Sequence, residues 1–493
     1  VNEQSFNAPI SSKYIPTNAD LVFHWKVNPK QLPNYMENYQ DKINRKITNK
    51  KIRFIRDSSF RLISLDFEKD ISKWAGDFGS FAVFESNTQN LNDWLLVLGI
   101  DKDVNIEEEL DLILDPDISN EYPSNSNKFN IPNIKIISKK VSPNQFIYFA
   151  TEKDKVLISS NPQIIKSSIE QLDNNDLNTK EKYKNIQLKD NLIDGVLLLE
   201  MSPKKLFSLI GQKEKLLELN KANKLITSIN LDKNELLLEG LISYDSKTKM
   251  PTNDINYNLS DLQKEFKSSD DLIFIDNPKQ YFGERDEHPY QRLIASVIEE
   301  TLASGYSNLL KIIFEHSKGN LIWINDKNWL VLTSKSDPSK KQISTILEKR
   351  NFLNSNLEFE NKNLEVWSKI SKNINEKHEI KDNIEAIIGE SEGTYIWSQK
   401  LSSISNFDNK KYFQNNLDSE HKKDEVNDFD DIIKIHLGKE KTELILNNFY
   451  PYVLFRSMLG NQLNFPQNTD LSISVPTINY PDFIKFKINL KTS

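Results

Sequence analysis

Six histidines, two carboxylate clusters and one mixed polar segment are the residues of this chain whose types could do chemistry. His24, His288, His316, His378, His421 and His436 stand singly along the sequence. A zinc site needs ligands spaced so that one helix or turn aims two of them at one ion. Neither His-x-x-x-His nor Glu-x-x-His occurs, so each histidine reads as an isolated surface or core residue. The clusters Glu107-Glu108-Glu109 and Asp428-Phe429-Asp430-Asp431 place carboxylates side by side, where they diverge into solvent. A loosely held divalent cation stays open for Asp428 to Asp431, although the spacing is not that of a calcium loop. The segment Phe282-Gly283-Glu284-Arg285-Asp286-Glu287-His288-Pro289-Tyr290 is the densest mixture of reactive side chains. Acidic residues and Pro ahead of a helix cap it electrostatically and sterically, which explains the segment without catalysis; an active site there is the alternative.

Other chemistry leaves no trace in the sequence. There is no phosphate-cradling Gly-x-x-x-x-Gly-Lys-Ser, no Gly-x-Gly-x-x-Gly and no Gly-x-Ser-x-Gly nucleophile elbow. The turn Gly76-Asp77-Phe78-Gly79 precedes a strand, where a hairpin or bulge needing positive φ accounts for it. Zero cysteines exclude disulfides, thiolate metal sites and a Cys nucleophile. The sequence assigns no catalytic, cofactor-binding or metal-binding residue, implies no cofactor, and leaves the binding residues undetermined.

The elements that would position any site are announced by repetition. An apolar run, a short polar residue, Pro and a basic or polar residue recur at Leu21 to Leu32 around Asn28-Pro29, at Val196 to Leu206 around Ser202-Pro203, and at Leu272 to Tyr281 around Asn277-Pro278. Each reads as a strand entering a capped helix. A second phrase, hairpin then capped helix, occurs at Phe146 to Leu172 through Asn161-Pro162 and at Leu321 to Leu347 through Asp337-Pro338. Ile432 to Leu446, around Gly438-Lys439-Glu440-Lys441, is a weaker third copy. These phrases predict an α+β fold of mainly antiparallel sheets with capped helices, built from duplicated strand-helix and hairpin-helix units.

At 493 residues the chain exceeds what one core supports. The expected organisation is an extended tail at 1–16, a first α+β unit with terminal linker at 17–189, a second α+β unit at 190–380, and a C-terminal strand-rich part at 381–493. The apolar positions of Leu293 to Phe314 follow helical spacing, predicting one long core helix near 290–315. Polar substitutions within that stretch break it as a membrane span, and no other segment is long and apolar enough. The seven tryptophans Trp25, Trp74, Trp94, Trp323, Trp329, Trp367 and Trp397 fall mostly in strand-like runs, as core packing requires.

Charge is nearly balanced, 64 Lys and Arg against 71 Asp and Glu, a net of −7. Interleaved signs argue against nucleic acid as a partner. The most basic block is Lys42, Arg45, Lys46, Lys50, Lys51, Arg53 and Arg56. It reads as the solvated face of a helix and following strand, with a lipid headgroup or acidic partner as the alternative.

The opening strand with Asn28-Pro29, the Trp74-x-Gly76-Asp77 turn, the strand Trp94-Leu95-Leu96-Val97-Leu98 and Val156-Leu157-Ile158-Ser159-Ser160-Asn161-Pro162 together resemble the cyanobacterial domain-of-unknown-function 3352 family, an uncharacterised family. The resemblance covers most of the first 175 residues, and the second half by layout. It implies a membrane-anchored, extracytoplasmic protein whose soluble part lies in the periplasm or thylakoid lumen, with an anchor or export segment ahead of Val1. It brings no catalytic residues. The resulting expectation is a non-enzymatic binding or scaffold protein that aids assembly of a membrane complex, with a protein partner in or near the membrane, and lipid or pigment as a further candidate. The alternatives are a hydrolase whose Ser, His and Asp meet only in space and a carrier of an apolar ligand. A histidine bonded to both a carboxylate and a hydroxyl in a pocket would favour the hydrolase. The oligomeric state is not legible from the sequence.

Overall fold

The computed structural model describes residues 9–37, 45–85, 93–113, 136–142, 145–170, 172, 197–202, 222–232, 235–244, 271–284, 289–302, 307–319, 321–326, 328–335, 339–372, 380–391, 394–408, 431–448, 469–476 and 483–492. Contacts divide the chain into two compact units, Val1–Ser243 with Asn448–Asn464, and Tyr244–Asn447 with Phe465–Ser493.

Unit 1 begins with a 3-10 helix, Ile10–Tyr14, in the stretch read as an extended tail. Its strands are β1 (Leu21–Trp25), β2 (Ala75–Phe84), β3 (Asp93–Ile100), β4 (Ile136–Ser142), β5 (Gln145–Glu152), β6 (Lys155–Ser159), β7 (Leu197–Met201), β8 (Ala222–Asp232) and β9 (Glu235–Tyr244). Its α-helices are α1 (Leu32–Glu37), α2 (Arg45–Leu62), α3 (Ile106–Ile113) and α4 (Pro162–Glu170), with a π-helical turn at Phe67–Ile71. The strand order is β4-β5-β6-β3-β2-β1-β7-β8, antiparallel at every step.

Both faces of this sheet are filled, and the period of two decides which residue goes where. Val22, Ala82, Leu95, Val97, Leu157 and Ala150 face the 3-10 helix and α4. Leu96, Leu98, Val156, Ile158, Phe149 and Ile147 face Trp74, Phe67 and α3. Strands buried on both sides need apolar residues at successive positions, hence the unbroken Trp94 to Leu98 run.

Unit 2 contains β10 (Asp271–Ile275), β11 (Leu321–Asp326), β12 (Asn328–Ser334), β13 (Leu353–Phe359), β14 (Lys362–Lys372), β15 (Ile380–Ser391), β16 (Thr394–Ser398), β17 (Asp431–Leu437), β18 (Thr469–Pro476) and β19 (Phe483–Thr492). Its helices are α5 (Pro278–Phe282), α6 (Pro289–Leu302), α7 (Asn308–His316), α8 (Ser339–Lys349), α9 (Leu401–Asp408) and α10 (Lys439–Asn448). The strand order is β13-β14-β15-β16-β12-β11-β10-β17-β18-β19. With β13 and β19 set aside, this is the order of unit 1, strand for strand. The edge strand β13 has no counterpart among the described residues of unit 1.

The expected α+β class built on capped helices is therefore corrected. Among the described residues nineteen antiparallel strands dominate, and of the α-helices described there only α2, with 18 residues, and α6, with 14, exceed eleven. The Asn-Pro phrase misled because it is not consistently a cap. After Asn28-Pro29 the chain turns, with Asn28 Oδ1 accepting from the Lys30 amide at 2.9 Å, and the helix starts only at Leu32. Asn277 adopts a left-handed conformation without a capping bond. At Asn161 the cap is real: its Oδ1 accepts from the Gln163 amide at 3.0 Å.

The repeated unit is also larger than the phrases suggested. The hairpin of β11 and β12 corresponds in sheet order to β2 and β3, and the hairpin of β5 and β6 to β15 and β16, so the match of Phe146 to Leu321 is wrong. Gly438 closes no hairpin; it precedes α10. The single helix expected near 290–315 is two, α6 and α7, because Ser307 starts a new helix by accepting from the Leu310 amide at 3.2 Å. His288, His378, His421, Arg285 to Glu287, Asp428 to Asp430, Pro203 to Leu206, Asp337-Pro338 and the polar stretches 115–133, 173–189 and 245–269 lie outside the described residues.

Candidate functional site

One histidine that nothing in the sequence singles out sits between a hydroxyl and a carboxylate. In β1, His24 Nδ1 lies 2.5 Å from Ser80 Oγ on β2. Its Nε2 lies 3.3 Å from Glu200 Oε1 on β7. Register explains the meeting: His24 is directly opposite Ser80, and Glu200 is the same-face diagonal neighbour on the other side. Ser80 also shares a short hydrogen bond with Ser11 of the 3-10 helix.

This hydroxyl, imidazole and carboxylate have the connectivity of an acyl-transfer triad, but not its setting. Ser80 is 0%, His24 2%, Glu200 3% and Ser11 1% exposed. A nucleophile must meet its substrate, and the Ser80 hydroxyl is held from both sides beneath the 3-10 helix. In unit 2, on the face that α9 covers, Phe274 stands opposite Ile322. The same strand order thus forms around a purely apolar pair. The network satisfies polar groups inside an otherwise apolar layer and fastens the 3-10 helix to the sheet.

The remaining candidates disperse. His316 ends α7, and burial, with Arg350 and Lys279 adding to it against Glu315, holds its pKa below the usual imidazole range. His436 Nδ1 lies 3.2 Å from Ser472 Oγ across β17 and β18. Glu107, Glu108 and Glu109 occupy the first turn of α3, where carboxylates complement the helix dipole. Among the described residues no three His, Asp or Glu side chains could hold one metal ion. Gly76 and Gly79 flank a register irregularity in β2, as expected, but neither has positive φ. Trp74, Trp323, Trp329, Trp367 and Trp397 are buried in the cores.

The second candidate is a surface. α2 carries the block from Arg45 to Arg56 as one continuous helix, without the expected change to a strand, and Lys42 lies outside the described residues. Its inner side is anchored by Arg56, whose guanidinium stands 3.7 Å from the Phe67 ring centroid and donates to Glu68 at 2.7 Å and Asp57 at 2.9 Å. Phe60 packs on Phe67 with centroids 5.1 Å apart. At about 100° per residue, the outer side carries Lys46, Lys50, Arg53 and Arg61 beside Ile47 and Phe54, all exposed. Ile47 is 51% and Phe54 56% exposed, and Leu62 at the helix end 74%. Basic side chains flanking exposed large apolar ones, on a helix held rigidly from behind, form an amphipathic surface that faces outward. The basic residues are visible in the sequence, but periodicity alone cannot say which apolar residues of a helix stay outside.

No helix among the described residues is long and apolar enough to cross a membrane. No curated protein matches the chain. Solved structures described as crystal forms IV and III of TP0453 match at 10% identity, with TM-scores of 0.23 and 0.24. They cover 47% and 52% of this chain and 80% and 84% of their own, and likeness at that level carries no argument. The family match extends beyond the first 175 residues to nearly the whole chain: with residues 1–492 matched, the chain belongs to the family described as protein of unknown function, DUF3352.

Proposed function

We propose that this chain is a non-enzymatic binding or scaffold protein that works against an anionic membrane surface, on the extracytoplasmic or lumenal side, and holds a protein partner there. The observation that carries the reading is the outer face of α2, where Ile47, Phe54 and Leu62 are exposed beside Lys46, Lys50, Arg53 and Arg61. Each basic side chain near an anionic lipid surface is worth about 1 kcal/mol, and apolar side chains entering the headgroup boundary add to this. Co-sedimentation of the full chain with vesicles tests it. Vesicles of phosphatidylcholine and phosphatidylglycerol should carry the protein down at low salt, and pure phosphatidylcholine should not. The variant I47S/F54S and the variant K46E/K50E should each stay in the supernatant. Wild-type protein left in solution by the anionic vesicles at low salt would end this reading.

The hydrolase alternative keeps one observation in its favour, the placement of His24 between Ser80 and Glu200. A fluorophosphonate probe that labels wild type but not Ser80→Ala would establish it. The burial of Ser80 supports the opposite outcome, an unlabelled protein.

A further inference from the structure

The open edge of unit 2 is unlike the rest of its sheet. Six of the seven residues of β13, Leu353 to Glu358, are exposed, and among the described residues β13 pairs with β14 alone. Period two places Leu353, Ser355, Leu357 and Phe359 on one face. In register, Leu357 lies opposite Leu364 and Ser355 opposite Val366, two residues of the buried core. That face continues to Ile370, 54% exposed, and Ile384, 52% exposed, beside Leu353 at 49% and Leu357 at 39%. An apolar core surface thus runs out to a free edge. Edge strands are normally protected by Lys, Pro or a bulge. From Leu353 to Leu357 there is no charge and no Pro, and the pairing with β14 is regular.

The occupant is written in the strand. Leu353-Asn354-Ser355-Asn356-Leu357 reads the same in both directions. An isologous contact between two copies brings a strand against its own reverse, so a palindrome is complementary to itself. We propose that β13 pairs antiparallel with β13 of a second copy of this chain, about a two-fold axis at Ser355. Leu353 then stands opposite Leu357 of the second copy, Asn354 opposite its Asn356, and Ser355 opposite its Ser355.

The backbone supports this register. Glu360 and Asn361, with φ of 49° and 62°, form the two-residue loop that joins β13 to β14. The flanking pair, Phe359 and Lys362, exchanges both of its hydrogen bonds in such a hairpin. Alternation then turns the amides and carbonyls of Phe359, Leu357, Ser355 and Leu353 toward β14, and those of Glu358, Asn356 and Asn354 toward the open edge. A pairing centred on Ser355 sets Asn354 against Asn356, so outward-facing groups meet outward-facing groups. A shift by one residue would misalign them and separate the leucines.

Cysteine chemistry tests the register, because the chain has none of its own. A non-hydrogen-bonded antiparallel pair has Cα atoms about 4.5 Å apart, within disulfide reach. Ser355→Cys should therefore give a covalent dimer under mild oxidation. Leu353→Cys alone should cross-link at least about tenfold more slowly, since its mate is Leu357, while an equimolar mixture of Leu353→Cys and Leu357→Cys should cross-link well. In sedimentation without vesicles the wild type should be a dimer. Ser355→Lys, which sets like charges against each other at the axis, should be a monomer with unaltered circular dichroism. A wild-type monomer at the highest soluble concentration overturns the proposal. So does a dimer that survives Ser355→Lys, or equal cross-linking at 353 and 355. None of these outcomes depends on α2 or on lipid.

Discussion

Gly79 stands directly opposite Trp25 across β1 and β2, and the indole fills the place of the missing side chain. A Cβ on Gly79 would lie 2.7 Å from Trp25 Cε2 and 2.9 Å from Leu98 Cδ2. The backbone at Gly79 is not in the left-handed region, so space alone demands glycine there. Gly79→Ala should cost about 1–3 kcal/mol through overpacking, lowering the melting midpoint of unit 1 by about 5 °C. Differential scanning calorimetry reads this directly. An unchanged midpoint would mean that the indole moves aside freely.

The network around His24 is expected to behave as one device. Ser80→Ala leaves His24 Nδ1 and Ser11 Oγ each short of a partner, and Glu200→Gln replaces the carboxylate with an amide. Each should cost about 1–3 kcal/mol in chemical denaturation. In a double-mutant cycle, His24→Phe and Ser80→Ala should couple by about 1 kcal/mol or more, since they share one hydrogen bond. Unit 2 has Phe274 and Ile322 in the places of His24 and Ser80, and His436 in that of Glu200. An apolar pair at 24 and 80 together with Glu200→Leu should recover much of the loss, because none of the three positions then holds a buried polar group without its partner. Additive losses with no recovery would show that the three residues act separately.

How much of this was legible in the sequence follows from the range of the interactions. The strands around Trp94 to Leu98 and Val156 to Ser159 were legible because burial on both faces forces long apolar runs. The duplication was visible, yet its repeating unit was mistaken. Local phrases such as Asn28-Pro29 and Asn277-Pro278 mark strand ends correctly, but sheet neighbours are fixed by long-range pairing that no short phrase encodes. His24, Ser80 and Glu200 meet only through the register of three strands, and Ser80 is 56 residues from His24. No spacing rule could join them. The palindrome in β13 lay in plain view; its meaning depends on the strand being an exposed edge, which only the pairing reveals.

Asp276 supplies a pH dependence with a definite sign. Burial at the end of β10 pushes its carboxyl up to about 6, opposed only in part by the Asn277 amide. The folded state therefore holds its proton more tightly than the unfolded state, in which the carboxyl is ordinary at 3.8. The contribution is intact below pH 3.8 and is lost as pH rises through about 6. Asp276→Asn should match wild type near pH 4 and be more stable by on the order of 2 kcal/mol at pH 7. Urea titrations at the two pH values measure the difference. A constant offset between the proteins would mean that Asp276 ionises normally in the folded state.

Arg56 separates the two faces of α2. Its side chain is 4% exposed, lies over Phe67, and reaches Glu68, Asp57 and the Pro29 carbonyl. Lysine keeps the charge but has neither the planar fork nor the flat surface that stacks on an aromatic ring. Arg56→Lys should therefore lower stability by about 1–2 kcal/mol, with the Glu68 bond contributing little because that carboxylate is 62% exposed. It should leave binding to anionic vesicles unchanged at temperatures where the protein is folded, since Lys46, Lys50, Phe54 and Ile47 lie on the other side. Phe54→Ser should do the reverse, weakening vesicle binding with a small effect on melting, because the ring it removes is already more than half in water. Loss of vesicle binding in Arg56→Lys at full folding would place the lipid contact on the inner face, and the outward face of α2 would then need another explanation.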